Sequence, residues 1–139
     1  MSIPTMTINV LPVFVSAFVG MFIGFFWFSA LFGKVWMREN KITRKEMEQA
    51  KKKGMGKTYV LAFICVFVTA YVLAHFMQYL ALTTVSEAAQ LAFWIWLGFF
   101  ATTQLGMVLW DNKSWTLYFI TTLHYLVVLI AMSAVLAVW

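Results

Sequence analysis

The sequence predicts an all-α, integral membrane four-helix bundle, and three observations carry that prediction. The 139 residues are 63% hydrophobic and only 11% charged. A soluble domain of this length could not cover that much apolar surface with a charged exterior. Four apolar runs reach the roughly 20 residues that a spanning helix needs. Charge is confined to the segments between them. The runs are 10–32, 58–82, 88–109 and 115–138, and together they make one transmembrane domain over 1–139.

No Lys, Arg, Asp or Glu precedes Lys34, and no small-x-small cleavage site follows the first run. The first run therefore reads as a retained membrane helix rather than a signal peptide. Loop 33–57 holds nine of the ten basic residues and three acids, a net of +6. The second loop carries only Glu87, and the third, WDNKS (110–114), carries Asp111 and Lys113. Basic loops stay cytoplasmic, so loops 33–57 and 110–114 are expected inside a bacterial inner membrane, with both termini outside. Trp27, Trp36, Trp94, Trp110, Trp115 and Trp139 sit near span ends, as an aromatic belt does.

Within the basic loop, Thr43 and Glu46 have capping-box spacing, and Ile42 and Met47 flank them as a hydrophobic staple. A short cytoplasmic amphipathic helix over 44–53 should follow. Its last turn, Lys51-Lys52-Lys53, suits the negative helix end, and Gly54 can stop it. Lys51, Lys52, Lys53 and Lys57 can also hold anionic lipid headgroups, at roughly 1 kcal/mol per basic residue near the surface. The same residues serve equally as a solvated topology signal.

GFFWFSALFGKVW (24–36) and GFFATTQLGMVLW (98–110) share a frame. The next helix in each half shares another: KTYVLAFI (57–64) meets KSWTLYFI (113–120). Both halves start on one side of the membrane and turn on the other. That pattern fits two parallel-repeat helical hairpins related by an axis along the membrane normal; shared apolar composition is the plainer source of such matches. Small residues recur every four positions at Ser16, Gly20 and Gly24, and at Gly98, Thr102 and Gly106. Lipid gives helices no hydrophobic drive to associate, so close backbone packing at small residues must supply it. The first and third helices are thus expected to pack on each other, at the bundle centre or across a dimer axis.

The polar side chains inside the spans are few. Thr102 and Thr103 can each bond back to a carbonyl one turn earlier. Gln104, about 9 Å from Trp110, has no such local partner. Thr121, His124 and Tyr125 share one face of the fourth helix. His124 lies roughly 16 Å from Lys113, near mid-membrane, where an ionisable group is a functional candidate. Thr102, Gln104, Thr121, His124 and Tyr125 are therefore the candidates for a ligand site or polar path. The plainer alternative is a neutral imidazole bonded to Gln104, Thr121 or a carbonyl, holding helices together. Tyr71, His75, Gln78 and Tyr79 form a second polar face that reads as interfacial anchoring. Cys65, the sole cysteine, reads as a small core residue.

Other chemistries lack their residues. His75 and His124 differ by about 10 Å in axial level, too far to share a metal or haem. No acid lies inside a span, so paired-carboxylate catalysis is not expected. No Walker loop or dinucleotide fingerprint occurs. The expectations are a non-enzyme with no cofactor, no metal and no nucleic-acid partner.

Four phrases carry a family resemblance: FWFSALFGKVWM (26–37), GMGKTY (54–59), LGFFATTQL (97–105) and LHYLVVLIAMSAVLAVW (123–139). The chain resembles, over nearly its whole length, the bacterial and fungal membrane proteins grouped as domain of unknown function 1761. That family typically shows Trp-Tyr-Ser-Pro where this chain has Trp27-Phe28-Ser29-Ala30, and often Tyr-His where it has His124-Tyr125. The resemblance implies the membrane fold and no activity. Two functions remain. One is a structural or accessory protein, acting as a homo-oligomer or as a subunit of a membrane complex. The other is a small carrier or channel, working as a homo-oligomer with a polar path near Gln104, Thr121 and His124.

Overall fold

Asn9 starts the first membrane helix, its side chain accepting from the Leu11 N–H at 3.2 Å. The computed structural model describes residues 6–139; residues 1–5 of the expected single domain lie outside the described residues. Helix α1 is Val10–Phe26. Pro12 fits its first turn, where N–H groups have no intrahelical partner. A π turn, Trp27–Leu31, continues the span. Gly33 then begins α2, Gly33–Glu39. A Cβ there would stand 3.0 Å from the Phe28 carbonyl oxygen, so the bend leaves room for little but glycine.

Helix α3, Arg44–Lys52, starts where Thr43 Oγ1 accepts from the Glu46 N–H at 3.1 Å. The return half of the expected capping box is not made. Gly54, at φ +88°, ends the segment. Helix α4 runs Gly56–Tyr79, so the second span begins and ends earlier than 58–82. The third span begins earlier as well. Thr84 and Glu87 form a complete capping box at the start of α5, Val85–Ile95. Glu87 accepts from the Thr83 and Thr84 N–H groups at 3.0 and 3.1 Å, and Thr84 Oγ1 accepts from the Glu87 N–H at 3.2 Å. A second π turn, Trp96–Ala101, comes next. The span then closes with two short pieces, α6 (Thr102–Gln104) and α7 (Gly106–Leu109). Ser114 caps the last helix, α8, Trp115–Val138, accepting from the Leu117 N–H at 3.1 Å.

Four helical stretches are thus long and apolar enough to cross a membrane: Val10–Leu31, Gly56–Tyr79, Val85–Leu109 and Trp115–Val138. Their outward faces are rich in phenylalanine; Phe22 is 71% exposed. Such residues need lipid, not water, as their solvent.

Helix α8 is central, packing on α1 and α5 and more lightly on α4, while α1 also packs on α4. The first span therefore does not pack on the third, contrary to the expectation from the two small-residue stripes. Close approach comes from elsewhere. Ala88 and Ala92 of α5 are fully buried in the core with Val13, Leu73, Leu129 and Met132. Ser16 is fully buried and donates to the Met132 carbonyl at 3.3 Å. On the other side of α1, Phe14 meets Phe67 and Phe18 meets Phe63, with ring centroids 4.7 and 4.9 Å apart.

Both hairpins, α1 with α4 and the third span with α8, have a first limb broken by a π turn. An exact twofold would also pair the third span with α4, as α1 pairs with α8. That counterpart packing is not formed. Helix α4 makes little contact with the third span, which leaves that side of the bundle open.

Candidate functional site: a cleft at His124

Two tryptophans hold the backbone of α8 just before His124. Trp27, first residue of one π turn, donates its indole N–H to the Ile120 carbonyl at 3.0 Å. Trp96, first residue of the other, donates to the Thr122 carbonyl at 2.6 Å. Tyr118 returns a bond to the third span, its hydroxyl donating to the Ala101 carbonyl at 2.7 Å. A π turn shifts the i→i−4 ladder and leaves carbonyls in need of other donors; the Tyr118 hydroxyl supplies one. The level of α8 is thereby fixed from both sides.

One turn on, His124 lies among aromatic rings. Its ring centroid is 4.8 Å from Phe28, 5.2 Å from Tyr125 and 6.2 Å from Trp27. Tyr125 in turn meets Phe100 at 5.0 Å. Gly24 permits the approach, since a Cβ there would lie 3.1 Å from His124 Nε2. Both ring nitrogens of His124 are buried, and neither has a hydrogen-bond partner. The imidazole is thus not bonded to Gln104, Thr121 or a carbonyl. Buried polar atoms in native proteins are almost always paired.

The ring borders a cleft of about 630 Å³ between α1, α4 and α8. Helix α3 contributes Met47 and Lys51, which share a face at i, i+4 and stand at the basic end of the cleft. The wall is mostly apolar. Two of its hydroxyls are satisfied locally: Thr69 donates to the Cys65 carbonyl at 3.0 Å, and Ser29 donates to the Phe25 carbonyl. Cys65 lies on this wall and is exposed, not buried in the core.

Of the five polar-path candidates, only His124 and Tyr125 border the cleft. Thr102 and Thr103 are bonded back to Gly98 and Phe99, at 2.7 and 2.6 Å. Gln104 and Thr121 lie off the wall. Only a straight third helix would bring Gln104 toward His124. The π turn at Trp96–Ala101 inserts a residue into one turn and swings the later residues of the span by about 100°.

The small residues divide. Ser16, Gly20 and Gly24 do face neighbouring helices: a Cβ on Gly20 would meet Val66 Cγ1 at 2.8 Å and Met132 Sδ at 3.1 Å. A Cβ on Gly98 would meet nothing within 4 Å, and one on Gly106 only Trp110 of its own segment. Of the lysines assigned to headgroups, Lys51 borders the cleft, while Lys52, Lys53 and Lys57 are exposed at the same end. There too, the Ser114 hydroxyl and then Arg38, 3.3 Å away, hold the Glu39 carboxyl below its usual range. His75 sits between Tyr71 and Tyr79 at 4.8 and 5.9 Å. Among the described residues no cluster of three His, Cys, Asp or Glu could hold a metal.

Spacing alone does not find Trp27 and Trp96 as clamps, or Met47 as a wall residue. The Thr-x-x-Glu pattern at 84–87 is itself a helix-start signal, and it marks the true beginning of the third span.

No curated protein and no solved structure matches the chain. A family model described as "Protein of unknown function (DUF1761)" matches residues 11–137. With nearly the whole chain covered, this four-helix membrane protein belongs to the DUF1761 family.

Proposed function

We propose that the protein binds an amphipathic, mostly apolar molecule inside the membrane, in the cleft beside His124. The observation that carries the reading is the His124 imidazole, whose two nitrogens are buried without a partner beside a preformed apolar cavity, into which the ring can turn to meet a ligand. Ligand sites are typically concave and apolar with a few convergent polar groups, and a ligand atom bonded to the imidazole would remove the cost of burying it unpaired. Gly24 meets His124 one turn before Gly20 meets Val66, which puts His124 level with Ala62, about 6 Å from Thr58 at the mouth. A carboxylate or phosphate head would fit between Lys51 and His124, with its chain in the apolar part. In this reading loop 33–57 faces the cytoplasm of an inner membrane and the ligand enters from that leaflet. The role is binding, as an accessory protein or carrier of a lipid-like molecule, rather than catalysis.

A scaffold role through homo-oligomerisation is the second reading. Its support is the open space at Gly98, which leaves room for another helix on the third span. A path for a polar solute has less support, because Gln104 and Thr121 do not reach the cleft.

Native mass spectrometry after gentle extraction tests the proposal. The wild type should retain a small amphiphile, and His124→Phe and Lys51→Glu should each lose it while melting like the delipidated wild type. Phenylalanine leaves no new orphan, because His124 makes no hydrogen bond to the protein. Retention in both variants would rule out the cleft as the site. Stoichiometric partner subunits with no small molecule would favour the accessory reading.

A further inference from the structure

A second, smaller cavity of about 250 Å³ continues the first along α4. Thr69, Phe100 and Leu129 belong to the walls of both. The second reaches Val72 and Phe76 on α4 and Ile95 on α5. It occupies the place where an exact repeat would have packed the third span on α4. The two cavities therefore adjoin end to end along the open side of the bundle.

The combined length of the two cavities is informative. Thr58 stands at the first mouth and Phe76 in the second cavity. Phe76 follows Thr58 by eighteen residues of α4, about 27 Å of helix, and with the head taking the first turn about 21 Å is left for the chain. The hydrocarbon core of a bilayer is about 30 Å, so one leaflet holds chains of roughly 15 Å. A lipid whose chain ends at the midplane would leave the α4 half beyond Thr69 empty.

Resting on the reading of the cleft as a binding site, we infer that its ligand is a single-chain anionic amphiphile longer than one leaflet. The head lies between Lys51 and His124. The chain follows α4, passes between Thr69 and Phe100, and ends beside Val72 and Phe76. The second cavity offers no further polar partner: Thr69 is the one hydroxyl among its lining residues and is already bonded to its own helix. A two-chain phospholipid does not suit it, because the second cavity holds only about 250 Å³.

The test uses the full chain in phosphatidylcholine nanodiscs and a series of saturated fatty acids, each with a diazirine on its terminal carbon. Crosslinked residues are mapped by peptide mass spectrometry. A short probe should label the first cleft near Cys65 and Thr69. A very long probe should label Val72 and Phe76. Thr69→Trp should abolish labelling at Val72 and Phe76 while keeping the short probe's labelling at Cys65; Thr69 is half-buried where the two cavities meet, and its hydroxyl serves only its own helix. If the very long probe never reaches Val72 or Phe76, while the short probe still labels the cleft and loses it in His124→Phe, the long-chain inference is overturned and the binding site stands. If no probe of any length labels the cleft, the binding reading fails with it.

Discussion

Gly24 lies directly under His124, and a methyl group on Gly24 would come within 3.1 Å of Nε2. The ring has cleft on its other side and can swing into it. Gly20 is different, because its three neighbours Val66, Val128 and Met132 close on it from α4 and α8. The same substitution should therefore have two outcomes. Gly20→Ala should cost about 1–3 kcal/mol through overpacking. Gly24→Ala should leave stability nearly unchanged but fill part of the cleft. Thermal unfolding in detergent, run beside amphiphile retention, separates the two. Equal destabilisation would mean that the His124 ring is held rigidly.

The tryptophan clamps predict a second pattern. The Ile120 and Thr122 carbonyls lie inside α8 and keep their helical partners, so an indole adds a bond without being their sole donor. Trp27→Phe and Trp96→Phe should each cost about 1 kcal/mol. Because both bonds fix the same two turns of α8, the two losses should not add independently. A double-mutant cycle by chemical or thermal unfolding measures the coupling. Strict additivity would show that each clamp acts alone.

The two Thr-x-x-Glu starts test how much a reciprocal cap matters. Thr84 and Glu87 bond each other's backbone, whereas Thr43 receives one bond and returns none. Thr84→Ala should cost about 1 kcal/mol, and Thr43→Ala less, because α3 makes little contact with the bundle. Hydrogen exchange at the first turns of α5 and α3 reads the difference directly. Faster exchange in α3 than in α5 is expected in the wild type as well.

How far the sequence reveals this molecule depends on which interaction sets each feature. Apolar length sets the four spans, and it is local, so all four are readable. The boundaries are set by caps: Thr84 moves the third span outward, and its signature is in plain view. His124 can be singled out because an ionisable residue at mid-helix is rare. The cleft around it cannot. It exists because two π turns re-aim Gln104 and Phe28, and because α4 fails to meet the third span. Neither effect leaves a trace in periodicity, which assumes straight helices. The stripe at Gly98 and Gly106 misleads for the same reason: matching spacing says that a surface is smooth, not what lies against it.

Glu39 gives a pH prediction. The Ser114 hydroxyl and the Arg38 guanidinium favour its charged form, so its folded-state value lies below the unfolded one. A depressed carboxylate contributes stability above its unfolded value, about pH 4.3, and loses it as pH falls through the folded value. Acidifying from neutral should therefore lower the melting temperature, and Glu39→Gln should flatten part of that fall below about pH 4.3. The contribution is small because the pair is at the surface. An identical acid limb in the variant would remove Glu39 from the linkage.

Cys65 offers a direct probe of whether the cleft is occupied. It is the only cysteine in the chain, so any thiol adduct is unambiguous. It lies on the cleft wall and is exposed, but an apolar surrounding keeps charged reagents away. An apolar maleimide should therefore label it, and a sulfonated one should not. If an amphiphile fills the cleft, delipidated protein should label faster than gently extracted protein, and a fatty acid added back should restore protection. His124→Phe should remove that protection without changing the rate in delipidated protein. Equal rates before and after delipidation, with full modification in both, would mean that the cleft holds only exchanging bilayer lipid.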